Sequence, residues 1–164
     1  MNRFRGLPPY RVRRSLIHGT GVFATRRIAA GTRIVEYRGE RVSHEEADRR
    51  YADKDRSDNH TFLFTVDEHT VIDGGVGGSA ARFINHGCTP NCQSVIVRGR
   101  VYIEALTEIR PGEELVYDYR LERDPEDPPD IEQVFQCRCR EWDCRGTMLL
   151  PRRPAMRRAL DARG

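Results

Sequence analysis

Lysine is almost missing from this chain: 27 of its 28 basic residues are Arg, and the other is Lys54. The skew fits a GC-rich coding sequence better than a phosphate-binding role, in which a Lys point charge serves as well as Arg. Long apolar runs are also missing. No stretch approaches the roughly 20 residues that a membrane span needs. The first 14 residues, MNRFRGLPPYRVRR, lack the apolar core of a secretory signal. The expectation is an intracellular protein with no membrane partner, cytoplasmic in a prokaryote or nuclear in a eukaryote. Strong charge of one sign is absent too. The net charge of +3 is too small to argue for nucleic acid as a direct ligand. The cysteine count, five, is odd, and inside a cell that argues against a disulfide framework and for a metal site. No internal repeat or long low-complexity segment is visible.

What remains is a polar, globular composition, 38% hydrophobic and 32% charged, over 164 residues, enough for one domain with a real core. Short runs rich in Val, Ile, Phe and Tyr predict strands over 10–16, 33–37, 62–66, 95–97 and 101–104. Arg98-Gly99 reads as a hairpin tip and Pro111-Gly112 as a turn. Ser43-His44-Glu45-Glu46 is a capping box that predicts one helix to about Lys54, and a short helical turn is expected over 79–85. The fold class is therefore mainly β, with several small antiparallel sheets and one helix. After Tyr119 the composition changes. Residues 121–133 are acidic and Pro-rich, a linker signal. The stretch 151–164 is an Arg-rich tail read as solvated.

Cys137-Arg138-Cys139 and Cys144 place three thiols in a tight loop. A structural zinc takes four ligands, usually Cys or His. The fourth must come from elsewhere, and Cys88 and Cys92 are the available thiols. Such a site would staple the C-terminal segment to the middle of the chain.

Five motifs occur in one order along residues 10–150. They are Gly19-Thr20-Gly21-Val22-Phe23-Ala24, Glu36-Tyr37-Arg38-Gly39-Glu40, the run Arg82-Phe83-Ile84-Asn85-His86-Gly87-Cys88-Thr89-Pro90-Asn91-Cys92, Glu114-Leu115-Val116-Tyr117-Asp118-Tyr119, and Cys137-Arg138-Cys139 with Cys144-Arg145-Gly146. Together they resemble SET-domain protein lysine methyltransferases with a zinc-binding post-SET segment. The resemblance implies a β-clip SET fold with a pseudoknot, whose strands lie within 82–91 and 114–119, and a C-terminal zinc-binding loop. It divides the chain into a SET catalytic domain (1–120), the acidic linker (121–133), a post-SET zinc segment (134–150) and the basic tail (151–164).

The resemblance also implies roles. S-adenosylmethionine would be the methyl donor, and one structural Zn²⁺ would sit on Cys88, Cys137, Cys139 and Cys144, leaving Cys92 as the odd thiol. Tyr119 matches the family's catalytic Tyr. Tyr37 and Tyr117 would join it along the lysine channel, with Phe62 in the channel wall. Asn85 and His86 match the pair that holds the cofactor, and Arg82 lies nearby. Gly19 and Gly21 would let the backbone approach the cofactor, with His18 beside them. Tyr51 would flank the cofactor, and Trp142, Met148 and Leu149 would cover its adenine. The chemistry fits these residue types. Acceptor amine, methyl and sulfur must be aligned, and an aromatic channel next to a sulfonium disfavours the charged amine. No strong base is then required. Tyr117 tightens the channel while Phe62 loosens it, and the expected product is mono- or dimethyl-lysine. The partner is a protein with an exposed lysine. Six acidic residues between Glu122 and Glu132 would attract a basic, histone-like tail. The alternative is a catalytically silent, zinc-bearing SET-fold interaction module. A nucleic-acid binder using the Arg-rich ends is a further rival, with no base-reading motif to support it.

Overall fold

The computed structural model describes residues 6–54 and 61–151. The tail expectation for 152–164 lies outside the described residues. The chain begins with a hairpin of β1 (Tyr10–Arg14) and β2 (Thr20–Ala24), paired antiparallel from Tyr10↔Ala24 to Arg14↔Thr20. Next come β3 (Arg33–Tyr37), β4 (Glu40–Val42), α1 (His44–Tyr51), β5 (Leu63–Thr65) and β6 (Val71–Asp73). A 3-10 turn (Ala80–Phe83) leads into β7 (Asn85–His86), β8 (Cys92–Val97), β9 (Arg100–Ala105), β10 (Val116–Tyr117) and α2 (Ile131–Val134).

Three small sheets result. One is the β1–β2 hairpin, one has the order β4-β6-β5, and the largest has the order β3-β9-β8-β10-β7. All pairings are antiparallel except those of β10, which lies parallel between β7 and β8. β10 comes from a distant part of the chain and wedges between two strands already close in sequence, which is the expected knot. The Asn91 side chain ties it. Its Nδ2 donates to the Glu114 carbonyl at 2.8 Å, and its Oδ1 accepts from the Val116 N–H at 2.9 Å. A strand of two residues has little ladder of its own, so side-chain bonds of this kind fix its register.

The core sits on the large sheet. Val22, Val101, Ile103, Ile109 and Leu115 are wholly buried there. The β8–β9 hairpin turns at Arg98 and Gly99 with φ of 50° and 73°, the left-handed pair that two-residue hairpins require. In α1, Ser43 Oγ accepts from the Glu46 N–H at 3.1 Å. Only that half of the capping box forms, because the Glu46 carboxylate turns to Arg49 and Arg50 instead. The helix stops at Tyr51, short of Lys54, and the Lys54 N–H closes a last turn on the Tyr51 carbonyl. Among the described residues no helix is long and apolar enough to cross a membrane.

The acidic stretch after Tyr119 carries structure. Leu121 bridges Leu149, Arg123 donates to the Leu150 carbonyl and pairs with Glu132, and α2 forms over its C-terminal end.

Candidate functional site

Two clefts flank the knot and meet around Tyr119. The narrower, about 250 Å³, is lined by Ile17, His18, Thr20, Asn85, His86 and Phe83 on one side and by Gln133, Val134, Gln136 and Arg138 on the other. The wider, about 610 Å³, is lined by Tyr37, Phe64, Tyr117, Leu121, Phe135 and Leu149. Tyr119, Arg82, Thr61 and Met148 belong to both.

Tyr119 is held at this junction from two sides. Its hydroxyl donates to the Ile84 carbonyl at 2.7 Å, and its backbone N–H donates to His86 Nδ1 at 3.1 Å. Its ring lies against Tyr117 at 4.9 Å and against His86 at 5.3 Å between centroids. Tyr117 is buried beside it, and Tyr37 packs on Phe64 at 5.2 Å. Burial pushes all three phenols above their usual range, so all three stay neutral at any physiological pH.

The loop that links β1 to β2 meets the knot through Asn85. Its Nδ2 donates to the His18 carbonyl at 3.2 Å, the Thr20 carbonyl at 3.1 Å and Glu114 Oε1 at 2.9 Å. Glu114 also accepts from Ser15 Oγ at 3.0 Å. The Asn85 amide nitrogen therefore organises the protein itself, which leaves its side-chain oxygen for a ligand. His86 is buried, and that burial outweighs the Asp118 carboxylate and pushes its imidazole down to about 4. Because Nδ1 accepts a backbone N–H, the proton of the neutral ring belongs on Nε2, which points at Cys88 Sγ 3.5 Å away.

The thiols of Cys88, Cys137, Cys139 and Cys144 all lie within 4.8 Å of one another, with Cys88 Sγ at 3.6 Å from Cys137 and 3.9 Å from Cys144. Four sulfurs about 2.3 Å from one zinc stand about 3.8 Å apart in a tetrahedron. Burial pushes the Cys88 and Cys137 thiols up. Four thiolates this close need a cation to neutralise them. The donor set and its spacing thus fit zinc, and Cys92, wholly buried in β8 beside Tyr117 of β10, lies outside the cluster. Arg145, next to Cys144, grips Asp118 with two bonds of 2.7 and 3.0 Å. Burial raises the Asp118 carboxyl, but Arg145 and the Arg120 N–H more than reverse this and hold it below its usual range. The cysteine loop is thereby tied to the residue between Tyr117 and Tyr119.

Five sequence expectations need correcting. Trp142 is 95% exposed and lines neither cleft, because the loop from Cys139 to Cys144 turns it outward. Tyr51 also lines neither cleft, since its hydroxyl is taken by Asp73 at 3.0 Å. Leu149 lines the Tyr37 side, not the Asn85 side, because its bridge to Leu121 carries it there. Phe62 lies on the Asn85 side, with its ring edge-on to Phe83 at 5.6 Å, and Phe64 takes its place beside Tyr37. At Gly21 the close approach is internal: a Cβ would collide with the Glu114 carboxylate. Gly19 has φ of +43°, so the turn itself calls for glycine there. Sequence reading missed Glu114, Arg145 and Asp118 as tethers. All three stood inside quoted motifs, but nothing local marks a partner 27 or 29 residues away.

The SET domain family model matches residues 19–120. The chain is 41% identical over 143 residues to a protein of Aspergillus oryzae named histone-lysine N-methyltransferase, H3 lysine-4 specific, across 84% of this chain and 11% of that one. A Saccharomyces cerevisiae protein of the same name is 41% identical over 145 residues, across 84% of this chain and 13% of that one. Histone-lysine N-methyltransferase trithorax of Drosophila virilis is 38% identical over 136 residues, across 80% and 3%. The chain thus spans about a tenth of the length of its fungal relatives. Among solved structures, ctPRC2 in an autoinhibited conformation bound to S-adenosylmethionine is similar with a TM-score of 0.64 and 32% identity, over 70% of this chain and 16% of that one.

Proposed function

The chain belongs to the SET-domain family, and from that premise we propose that it is an S-adenosylmethionine-dependent protein-lysine N-methyltransferase. The observation that carries this reading is the meeting of two clefts at Tyr119. A transfer enzyme of this kind must bring donor and acceptor from separate sides and let them touch at one point. The narrow cleft, with Asn85, His86, His18 and Arg82, takes the donor. The wide aromatic cleft, with Tyr37, Tyr117 and Leu149, takes the lysine side chain.

When bound, S-adenosylmethionine supplies an electrophilic methyl on its sulfonium. The residues of the chain do the rest. Tyr119 spends its hydroxyl proton on the Ile84 carbonyl, so the oxygen lone pairs are left to face the junction. Tyr37, Tyr117 and Phe64 exclude water from the acceptor alkyl chain and disfavour a charged amine. Three neutral phenols offer no base, and the amine proton leaves to water. Cys88, Cys137, Cys139 and Cys144 would hold Zn²⁺, which fixes the segment that closes both clefts through Met148. In this division 1–120 is the catalytic unit, 121–133 the connector and 134–150 the lid, with 151–164 a basic tail.

A histone or histone-like tail is the substrate class this reading favours, supported by the names of the relatives and by the six acids between Glu122 and Glu132. In a eukaryotic cell that puts the protein in the nucleus. Tyr117 favours mono- or dimethyl product. Phe62 no longer argues for a looser channel, because its ring stands on the donor side.

The test is transfer of label from S-adenosylmethionine to histones and other lysine-bearing proteins, with Tyr119→Phe as control. Label on lysine is expected, lost in the variant while cofactor binding persists. Absence of both label and cofactor binding would leave the silent interaction module as the reading.

A further inference from the structure

Asp73, at the end of β6, is the one buried carboxylate among the described residues, at 1% exposure. Burying a charge is costly unless it is paired and fully bonded. Asp73 is both. Oδ1 accepts the Tyr51 hydroxyl at 3.0 Å and the Gly75 N–H at 2.9 Å, and Oδ2 accepts the Arg50 guanidinium at 3.1 Å. Arg50 also reaches Glu40 on β4 at 2.8 Å and Glu46 one turn back at 2.7 Å. One carboxylate thus bolts the last turn of α1 to the β4-β6-β5 sheet.

The residue after it carries the connection to the clefts. The Gly74 N–H donates to the Phe62 carbonyl at 2.8 Å, and the Gly74 carbonyl accepts from Arg82 Nη1 at 3.0 Å. The same Phe62 carbonyl accepts the Tyr37 hydroxyl at 2.8 Å. Tyr37 lines the wide cleft and Arg82 lines both, while Asp73 lines neither. Replacing a buried ion pair with apolar packing is often neutral or stabilising, so stability alone does not account for this one. What it supplies is a fixed position for the strand end.

We infer that Asp73 is a positioning residue: by clamping α1 to β6 it fixes the Phe62 carbonyl that holds the Tyr37 hydroxyl, and so the Tyr37 ring in the wall of the acceptor cleft. The inference rests on the methyl-transfer reading of that cleft. It assigns a function to Tyr51 as well, as an arm of the clamp. The network reaches the donor cleft only through Phe62 and Arg82, and neither is altered by a change at Asp73.

The experiment compares the full chain with Asp73→Asn, which keeps the volume but removes the charge that Arg50 grips. Misplacement of a cleft wall by a fraction of an ångström predicts a rise of about tenfold in KM for a lysine peptide, with a smaller change in kcat. The cofactor dissociation constant should stay within about twofold, because no donor-side group is lost. Amide exchange should quicken in α1 and in β5, and stay unchanged in β8 and β9. Tyr51→Phe removes one arm only and should move each readout the same way by less, and it serves if the Asn variant does not fold. Unchanged KM and unchanged α1 exchange in folded variants would overturn the inference. So would equal losses in KM, kcat and cofactor affinity that follow the melting temperature. If the unsubstituted chain transfers no methyl, the reading beneath fails instead, and the exchange arm still decides whether Asp73 holds α1.

Discussion

Cys88 and Cys92 stand four residues apart and mark the border between two regions held by different forces. Cys92 opens β8, in the middle of the large sheet, and is wholly buried, which pushes its thiol up to about 12. Around it the chain is held by strand ladders and by apolar side chains such as Ile103 and Leu115. Cys88 faces the other way, into the cluster with Cys137, Cys139 and Cys144. Residues 121–150 contain no strand of any sheet. The Leu121↔Leu149 bridge closes that region on itself, and its links to the rest include the Arg145–Asp118 pair, a Thr89–Asp143 hydrogen bond and the contact of Cys88 with the other three thiols. The sheet region carries the buried core. The C-terminal region is too thin for a core of its own and needs a cross-link. Yet both clefts need both regions, since Phe135, Met148 and Leu149 close what Tyr119 and Arg82 begin.

The sharpest way to break this contrast is to deny the four-thiol cluster the zinc it would hold. Structural zinc in small domains contributes on the order of 10 kcal/mol of folding free energy. Chelation, or Cys137→Ser, should therefore unfold 134–150 while the sheet keeps its protection, read by amide exchange. Simultaneous loss of both regions would show that they are one cooperative unit.

Leu115→Ala cuts from the opposite side. Leu115 is wholly buried in the sheet core, and the cavity should cost about 3 kcal/mol, read by denaturant unfolding. Metal content, measured by elemental analysis on folded protein, should not change.

Arg145→Met probes the seam. Arg145 and Asp118 are both about three-quarters buried, and removing one partner strands the other. The expected cost is about 1–2 kcal/mol, confined to docking of the C-terminal segment. Rescue by the double variant Arg145→Met with Asp118→Asn would confirm the pair as the tether.

The smallest effect is a predicted null. Tyr119 and Tyr37 ionise above their usual 10 because burial disfavours the phenolate. Their neutral forms therefore persist through the alkaline range, and log kcat/KM should rise with substrate deprotonation and not turn down below pH 10. A descending limb near 9 would mean that one phenol is far wetter than the structure shows.

Legibility in the sequence followed the range of the interactions. β3 matches its expected span of 33–37, the helix cap at Ser43 is where the motif put it, and the Arg98-Gly99 tip joins the strands it should. All three are set by neighbours in sequence. β2 went unread because Gly19-Thr20-Gly21 signals a turn. β4, β6, β7 and β10 span two or three residues each, too few to show a period, and they exist only through their partners. At the site, Cys137, Cys139 and Cys144 were legible as a metal-type trio from spacing, the choice of Cys88 and the roles of Tyr119, Asn85 and His86 came from motif resemblance, and the structure gathers the four thiols in one cluster. The misplaced residues, Tyr51, Phe62, Leu149 and Trp142, lie in or beside segments whose direction depends on distant bonds. Asp73 left no signal because an acid before two glycines reads as a turn.

Trp142 is a built-in optical reporter. It is the chain's sole tryptophan, 95% exposed, inside the loop between Cys139 and Cys144. Selectively excited fluorescence from the unlabelled protein therefore comes from one spot, beside the four-thiol cluster. Emission maximum, anisotropy and quenching by a soluble collider will report on the surroundings of that loop alone, with the whole sheet region optically silent.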